Sequence, residues 1–317
     1  MPSELGSDVR PQVVSAALAG ARTVPFWTDW EFRGRPAPQR RDRLTGGGTK
    51  ADLVIVGGGF TGLWAAIQAK ELDPGRSVVV LEAEHIGFAA SGRNGGFVAP
   101  SLTHGLAQGV ACWPDEVATL ERLGEENYRG LAESVAAYGI DAELHEPGEL
   151  TIALTEHQVP GIREAYDLHR EHGVPVSMLT ASEVRERVRS SRYLDGMLGP
   201  QIGLVDPGLL ARGLAEAAER LGVVIHEHTR VTGLDVQGAG LRVTCDDAAV
   251  DAGAVLLGTG AFRGPLKRLA AYTLPVYDHV IMTEPLTAAQ LAEIGWGGRE
   301  GLTDGGNQFH YYRRTLD

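Results

Sequence analysis

Cysteine is scarce in this 317-residue chain: Cys112 and Cys245 stand far apart and in no metal-ligand spacing. That excludes a disulfide scaffold and a cysteine-based metal site, and reads as two free thiols in a reducing compartment. Positive charge is also short, with 29 Lys and Arg against 41 Asp and Glu, for a net charge of −12. Nucleic acid or an anionic membrane surface would need a basic patch, so neither is an expected partner. No apolar run approaches the ~20 residues of a membrane span. Val13 to Ala21 (VVSAALAGA) has the apolarity of a signal-peptide core, but Glu4 and Asp8 precede it where a basic region belongs, so the expected location is cytoplasmic. What remains, 43% hydrophobic and 22% charged residues, is ordinary for a globular protein long enough for two domains.

Glycine, by contrast, is abundant and placed. Leu53 to Val56 is a short apolar run, the reading of a parallel strand buried on both faces, and Gly57, Gly59 and Gly62 follow it at G-x-G-x-x-G spacing. The first glycine allows a tight turn, the second lets a pyrophosphate approach the backbone, and the third lets helix and strand pack closely. Leu63, Ala66 and Ile67 then recur at helical spacing, so a helix points its amide end at the phosphates until Asp73, Pro74 and Gly75 stop it. Val78 to Leu81 is a second buried strand, closed by Glu82 twenty residues after Gly62 (82 − 62). A carboxylate there accepts hydrogen bonds from a ribose and repels a 2′-phosphate. The unit is a dinucleotide site; by itself the motif permits either a flavin or a nicotinamide.

Residues 1–50 read as an arm and linker, with Phe26, Trp27 and Trp30 as anchors and Arg33 to Gly48 as a solvated connector. His85 to Gly105 is a loop dense in glycine and small polar residues, placed to pass beneath a cofactor, with Ser91, Arg93 and Asn94 as hydrogen-bonding groups and Gly92, Gly95 and Gly96 for close approach. Residues 106–205 carry no nucleotide motif: helices are expected over Trp113 to Tyr138, Val159 to His172 and Ala181 to Val188, and strands over Glu149 to Leu154, Tyr193 to Leu198 and Gly203 to Val205. Asp206 then caps a helix with Pro207 at its first position and an apolar stripe to Leu221. Strands follow over 223–226, 230–236, 241–245, 249–252 and 254–257, the last ending in Gly258-Thr259-Gly260. Val276 to Leu286 reads as a long strand, Ala288 to Ile294 as a helix, and Gln308 to Arg314 as a strand.

FWTD, VIVGGGFTGLWAA, VVVLEAEHIGFAASGRNGGF, SLTHG, VDPGLLARGLAEAAERLGV, LGTGAF and PVYDHVIMTEPL together resemble the FAD-dependent amine and amino acid oxidoreductases related to glycine and D-amino acid oxidases, most of all their gamma-glutamylputrescine oxidoreductase-like members. The resemblance implies an α/β fold in which a discontinuous FAD-binding Rossmann-like domain (51–105 and 206–270) is joined to an α+β substrate domain with a mixed sheet (106–205 and 271–317). Gly57, Gly59, Phe60, Thr61 and Gly62 would meet the pyrophosphate, and Glu82 with Ala83 the ribose. Ser91, Gly92, Arg93, Asn94, Gly95 and Gly96 would line the stretch toward the isoalloxazine, Val231 would touch adenine, and Thr259 and Gly260 would approach from the last strand. The implied chemistry is oxidation of a C–H beside an amine nitrogen, with a small amine or amino acid as substrate, oxygen or another electron acceptor, and no metal. Arg93 and His104 would stand nearest the ring, and His279 and Tyr312 on the substrate-facing sheet; for both histidines a structural role stays open. Relatives continue beyond the point where this chain ends after YYRRT, so the fold is expected with its C-terminal part missing. A catalytically inactive flavin-binding protein and a nicotinamide-dependent reductase are the other readings, although the latter leaves the Ser91 to Gly96 loop without a role.

Overall fold

A computed structural model describes residues 11–199, 202–306 and 309–316. Residues 1–10 of the expected arm, and Gln308 of the expected last strand, lie outside them. In chain order the elements are α1 (Pro11–Leu18), β1 (Gly46–Val56), α2 (Phe60–Leu72), β2 (Val78–Leu81), β3 (Phe97–Val98), α3 (Leu106–Cys112), α4 (Val117–Ala137), β4 (Glu149–Ala153), α5 (Val159–Glu171), β5 (Ser177–Thr180), α6 (Ala181–Arg187), β6 (Asp195–Gly199) and β7 (Gly203–Leu204). They continue as α7 (Pro207–Arg220), β8 (Val224–His226), β9 (Val231–Gln237), β10 (Gly240–Cys245), β11 (Ala248–Leu257), α8 (Ala288–Ile294), β12 (Gly301–Asp304) and β13 (Tyr311–Tyr312).

Two large sheets and a two-stranded antiparallel pair, β3-β7, organise the described residues. The first runs β8-β2-β1-β11-β10-β9. Its β8, β2, β1 and β11 are parallel neighbours, and β10 and β9 add an antiparallel edge. Val54 to Val56 of β1 and Val78 to Leu81 of β2 are buried on both sides because successive residues serve different cores. Ile55, Val78 and Val80 face Leu63, Ala66 and Ile67 of α2 and Leu210, Leu214 and Ala218 of α7. Val54, Val56, Val79 and Leu81 face Val243, Val250 and Leu44 on the opposite side. The second sheet runs β13-β12-β4-β6-β5, with β12 and β4 parallel and the other pairs antiparallel. Leu150, Ile152, Val184 and Leu302 fill its core.

The structure departs from the sequence reading where local pattern lacks a partner or has one that pattern cannot show. Val276 to Leu286 is not a strand: no strand of the described residues pairs with it, and Val276, Tyr277 and Ile281 are 85%, 87% and 78% exposed. Gly46 to Gly48, read as connector, belongs to β1 because Gly46 to Lys50 lie alongside Ala248 to Asp251 of β11. The two runs 249–252 and 254–257 are one continuous strand, β11, held by β10 on one side and β1 on the other. The helix expected from Trp113 starts at Val117, since Pro114 disfavours helical geometry at Trp113, whose φ and ψ are −139° and 57°. The strand 308–314 shrinks to Tyr311–Tyr312, and β5 was not foreseen.

The thiols behave as a buried and an exposed one. Burial, aided by Asp246, pushes the Cys245 thiol up to about 11, while Cys112 is exposed. A thiol titration of the native chain at neutral pH is expected to read Cys112 quickly and Cys245 only on unfolding. Because the folded pKa is the higher one, the stability tied to Cys245 is intact below the ordinary thiol value near 9 and falls as pH rises from there toward about 11. Two thiols reacting at the same fast rate would refute this.

Candidate cofactor site

The C-terminal ends of the parallel strands β1, β2 and β11 converge, which is where open α/β sheets hold their ligands. Gly57 leaves β1 with φ of +110°, and a Cβ there would overlap the Gly258 carbonyl oxygen at the end of β11. A Cβ on Gly62 would overlap the Gly57 carbonyl oxygen, so α2 and the β1 turn touch backbone to backbone. Gly59 caps α2 with no side-chain hydrogen bond, so the first-turn amides after that of Phe60 are left to an outside acceptor. Thr61, in that first turn, is exposed. Glu82, at the end of β2, bends back over the turn: one carboxylate oxygen accepts from the Gly58 amide at 2.7 Å and the other from the Glu84 amide at 2.9 Å. The neighbouring Ala83 is half-buried. The chain entering β9 runs beside the same place, since the Thr229 amide donates to the Glu82 carbonyl at 2.8 Å, two residues before Val231.

The glycine-rich loop is braced from within. Ser91 Oγ accepts from the Phe60 amide at 3.0 Å, tying the loop to the first residue of α2. Gly59 lies against the same Ser91, whose Oγ is 2.9 Å from where a Gly59 Cβ would stand. A Cβ on Gly92 would overlap the Gly87 carbonyl oxygen. Asn94 donates through Nδ2 to the Ala90 and Ser91 carbonyls at 2.9 and 3.2 Å and accepts through Oδ1 from the Gly96 amide at 2.8 Å. Its own carbonyl accepts from Trp27 Nε1 at 2.8 Å, so the arm fixes the loop from below. Gly96, at φ of +75°, leaves no room for a side chain between the Val205 carbonyl and Arg313, and Gly95 lies against the ring of Tyr311. Arg93 is exposed, its Nε donating to the Phe88 carbonyl at 2.7 Å with the guanidinium 4.7 Å over the Phe88 ring.

Other residues singled out from the sequence sit further out. His104 is exposed in a turn of positive φ between β3 and α3. His279 lies in the exposed 276–286 segment. Tyr312 shares a hydroxyl–hydroxyl hydrogen bond of 2.7 Å with Tyr193 and packs edge-on to Trp296, and burial pushes its phenol well up. Thr259 and Gly260 follow β11 directly, beside the Gly57 turn. Sequence reasoning passed over Gly58, Arg33 and Arg313. Gly58 was visible as the middle glycine of three; Arg313 had no signal beyond an arginine pair after two tyrosines.

A glycine turn at a strand end, an uncapped helix N-terminus and a carboxylate closing the second strand make this a Rossmann-like dinucleotide-binding fold. The sequence pattern of the DAO family, FAD dependent oxidoreductase, matches residues 52–317, and the chain belongs to that family. It is 31% identical over 272 residues to gamma-glutamylputrescine oxidoreductase of Escherichia coli strain K12, covering 84% of this chain and 62% of that protein. It is 28% identical over 275 residues to the probable oxidoreductase OrdL of Haemophilus influenzae, covering 84% and 63%. The chain thus spans less than two thirds of the length of these curated relatives. The crystal structure of glycine oxidase from Geobacillus kaustophilus superposes with a TM-score of 0.59 at 26% identity, over 68% of this chain and 56% of that one. No helix of the described residues is long and apolar enough to cross a membrane, and they hold no cluster of metal-ligating groups.

Proposed function

We propose that the chain forms the FAD-binding and substrate-facing part of a cytoplasmic oxidoreductase that oxidises the C–H bond beside the nitrogen of an amine or amino acid, the resulting imine then hydrolysing. The observation that carries this reading is the backbone cradle of Gly57, Gly58 and Gly59 at the uncapped start of α2, with Glu82 beside it, in a chain of an FAD-dependent family. These residues fit the cofactor: the α2 amides suit its pyrophosphate and Glu82 its ribose hydroxyls. FAD, when bound, supplies the acceptor for the hydride equivalent taken from the substrate, and oxygen or another acceptor takes the electrons on.

The protein's share is binding and orientation. Thr61 and Gly62 present amides to the phosphates beside Phe60, whose own amide is held by Ser91, while Ala83 and Val231 flank the adenosine end, and Ser91 to Gly96 run toward the reactive ring with Thr259 and Gly260 opposite. Arg93 and His104 are the side chains of the loop region assigned to the ring's surroundings. Residues 51–105 and 206–270 form the cofactor domain in this reading, and 106–205 with 271–317 the substrate domain. The relatives' names point to an amine such as gamma-glutamylputrescine or a small amino acid as the substrate class.

Two measurements test the proposal. Purified chain incubated with FAD and freed of excess should carry flavin absorption bands, and acid precipitation should release FAD into the supernatant; anaerobic addition of an amine substrate should then bleach the bands. A colourless, folded chain that fails to take up FAD would sink the proposal, and bound flavin that no amine bleaches would leave only a flavin-binding protein. Glu82→Gln should weaken FAD binding about tenfold, because a neutral amide accepts the ribose hydroxyls and the Gly58 amide less strongly than a carboxylate. Fluorescence titration of FAD checks this, and an unchanged affinity would remove Glu82 from the site.

A further inference from the structure

The arm meets the cofactor site at two places far apart along the chain. At the glycine-rich loop, Trp27 Nε1 donates to the Asn94 carbonyl, and a Cβ on Gly92 would stand 3.2 Å from Thr28 Cγ2, so the loop rests on the arm. At the other place the Leu44 amide donates to Thr229 Oγ1 at 3.0 Å, and the Thr229 amide donates in turn to the Glu82 carbonyl. Arg41 Nη1 lies 3.6 Å from Glu227 Oε1, which also accepts from the Ile86 amide at 2.8 Å, where the same loop begins. One segment thus braces the stretch assigned to the reactive ring and the stretch assigned to the ribose.

Between these places the arm is laid along α7. A Cβ on Gly208 would overlap the Trp27 carbonyl, so the first turn of α7 and the arm touch backbone to backbone. Arg33 Nη1 donates to that carbonyl at 3.0 Å, Arg212 Nη1 donates to the Pro36 carbonyl at 3.0 Å, and Arg41 grips both oxygens of Glu219 at 2.7 and 2.9 Å. From Gly208 to Glu219 is eleven residues (219 − 208), about 16 Å of helix. Docking buries Trp27, Arg33, Arg41 and Leu44 to 9% exposure or less. The glycine-rich loop gains most from such a support. Its glycines make it costly to order, and the Asn94 side chain, bonded to Ala90, Ser91 and Gly96, fixes the shape of the loop but not its place. Place comes from bonds to distant elements, and the indole of Trp27 supplies one of them.

We propose that residues 26–44 are a splint between the two ends of the cofactor site, with Trp27 the positioning residue for the Asn94 to Gly96 loop. Resting on the function proposed above, the ligand that feels the splint is FAD. Docking of the arm and binding of FAD strengthen each other, because both order the same loop and the same corner between Glu82 and Thr229, and such coupling is reciprocal.

The test reads the coupling from both sides in the full chain. Trp27→Phe keeps an aromatic ring beside Arg33 and Arg313 but removes the indole N–H. Its FAD affinity, by fluorescence titration, is expected to fall about tenfold, as is that of Arg41→Gln at the other end, each variant shown to be folded by circular dichroism. Arg43→Gln, which breaks an exposed ion pair with Asp247, should bind FAD as the native chain does. Hydrogen exchange followed by mass spectrometry gives the reciprocal reading. The amides of Asp29, Arg33 and Arg35 are bonded within the arm, and FAD should slow exchange of the segment that carries them about tenfold in the native chain but no more than about twofold in Trp27→Phe. An unchanged FAD affinity in folded Trp27→Phe, or arm exchange indifferent to FAD, overturns the splint and leaves the cofactor reading standing. A folded native chain that takes up no FAD overturns both. Coupling of arm and FAD in a chain whose flavin no amine bleaches supports the splint and strikes the oxidoreductase reading.

Discussion

Replacing Asp206 by alanine is expected to lower stability by about 4 kcal/mol or more, enough to leave much of the chain unfolded. Asp206 and Arg33 form an ion pair whose side chains are both fully buried, at 0% exposure. Removing one partner strands the other charge in a dry interior, and that penalty exceeds the net worth of the pair itself. The same carboxylate caps α7, accepting from the Leu209 amide at 2.9 Å, and its loss adds about 1 kcal/mol. Arg33 also lies 5.0 Å from the Phe26 ring and 5.5 Å from that of Trp27, so the pair locks the arm onto the body. Chemical denaturation of Asp206→Ala, Arg33→Met and the double variant checks this. The double variant should be less damaged than the sum of the single changes, and simple additivity would refute the coupling.

The second large effect concerns the turn after β1. Gly57→Ala combines a backbone conformation that alanine rarely adopts, φ of +110°, with overlap on the Gly258 carbonyl. The expected loss is about 3 kcal/mol or more, read as a fall in Tm of roughly 5–10 °C. Flavin retention should fall further than stability alone requires, since relief of the clash moves the cradle that holds the phosphates. A Gly57→Ala chain with native Tm and native FAD affinity would contradict the backbone contact. Gly105, at φ of +96° but with open space where a Cβ would stand, is the control: substitution there costs only the backbone strain.

The first half of the cofactor unit was legible because each of its signals is local. Strand, glycine turn, helix and terminal acid occupy Leu53 to Glu82, and the structure ends β1 at Val56 and places α2 and β2 within a residue or two of the pattern, although β1 begins earlier, at Gly46. Asp206 and Pro207 announced α7 by capping chemistry for the same reason. What the sequence hid depends on partners distant along the chain. Gly46 to Gly48 look like linker until β11 lies beside them, and Val276 to Leu286 look like a strand although no strand among the described residues pairs with them. The cofactor loop could be picked out by its glycines, but not its tie to Trp27 through the Asn94 carbonyl, 67 residues away.

The pairing of β1 with β11 sets a timetable for synthesis. Val56 lies alongside Leu257, and Leu81 alongside His226, so the glycine turn leaves the ribosome about 200 residues before its neighbouring strand. At roughly 5–20 residues per second that interval is about 10–40 s, during which β1 and β2 expose bare backbone edges and apolar faces. The helix α2 can form at once, but the sheet it packs on cannot close. Nascent chains should therefore bind chaperones most strongly once β2 has emerged, and release them only when β11 arrives.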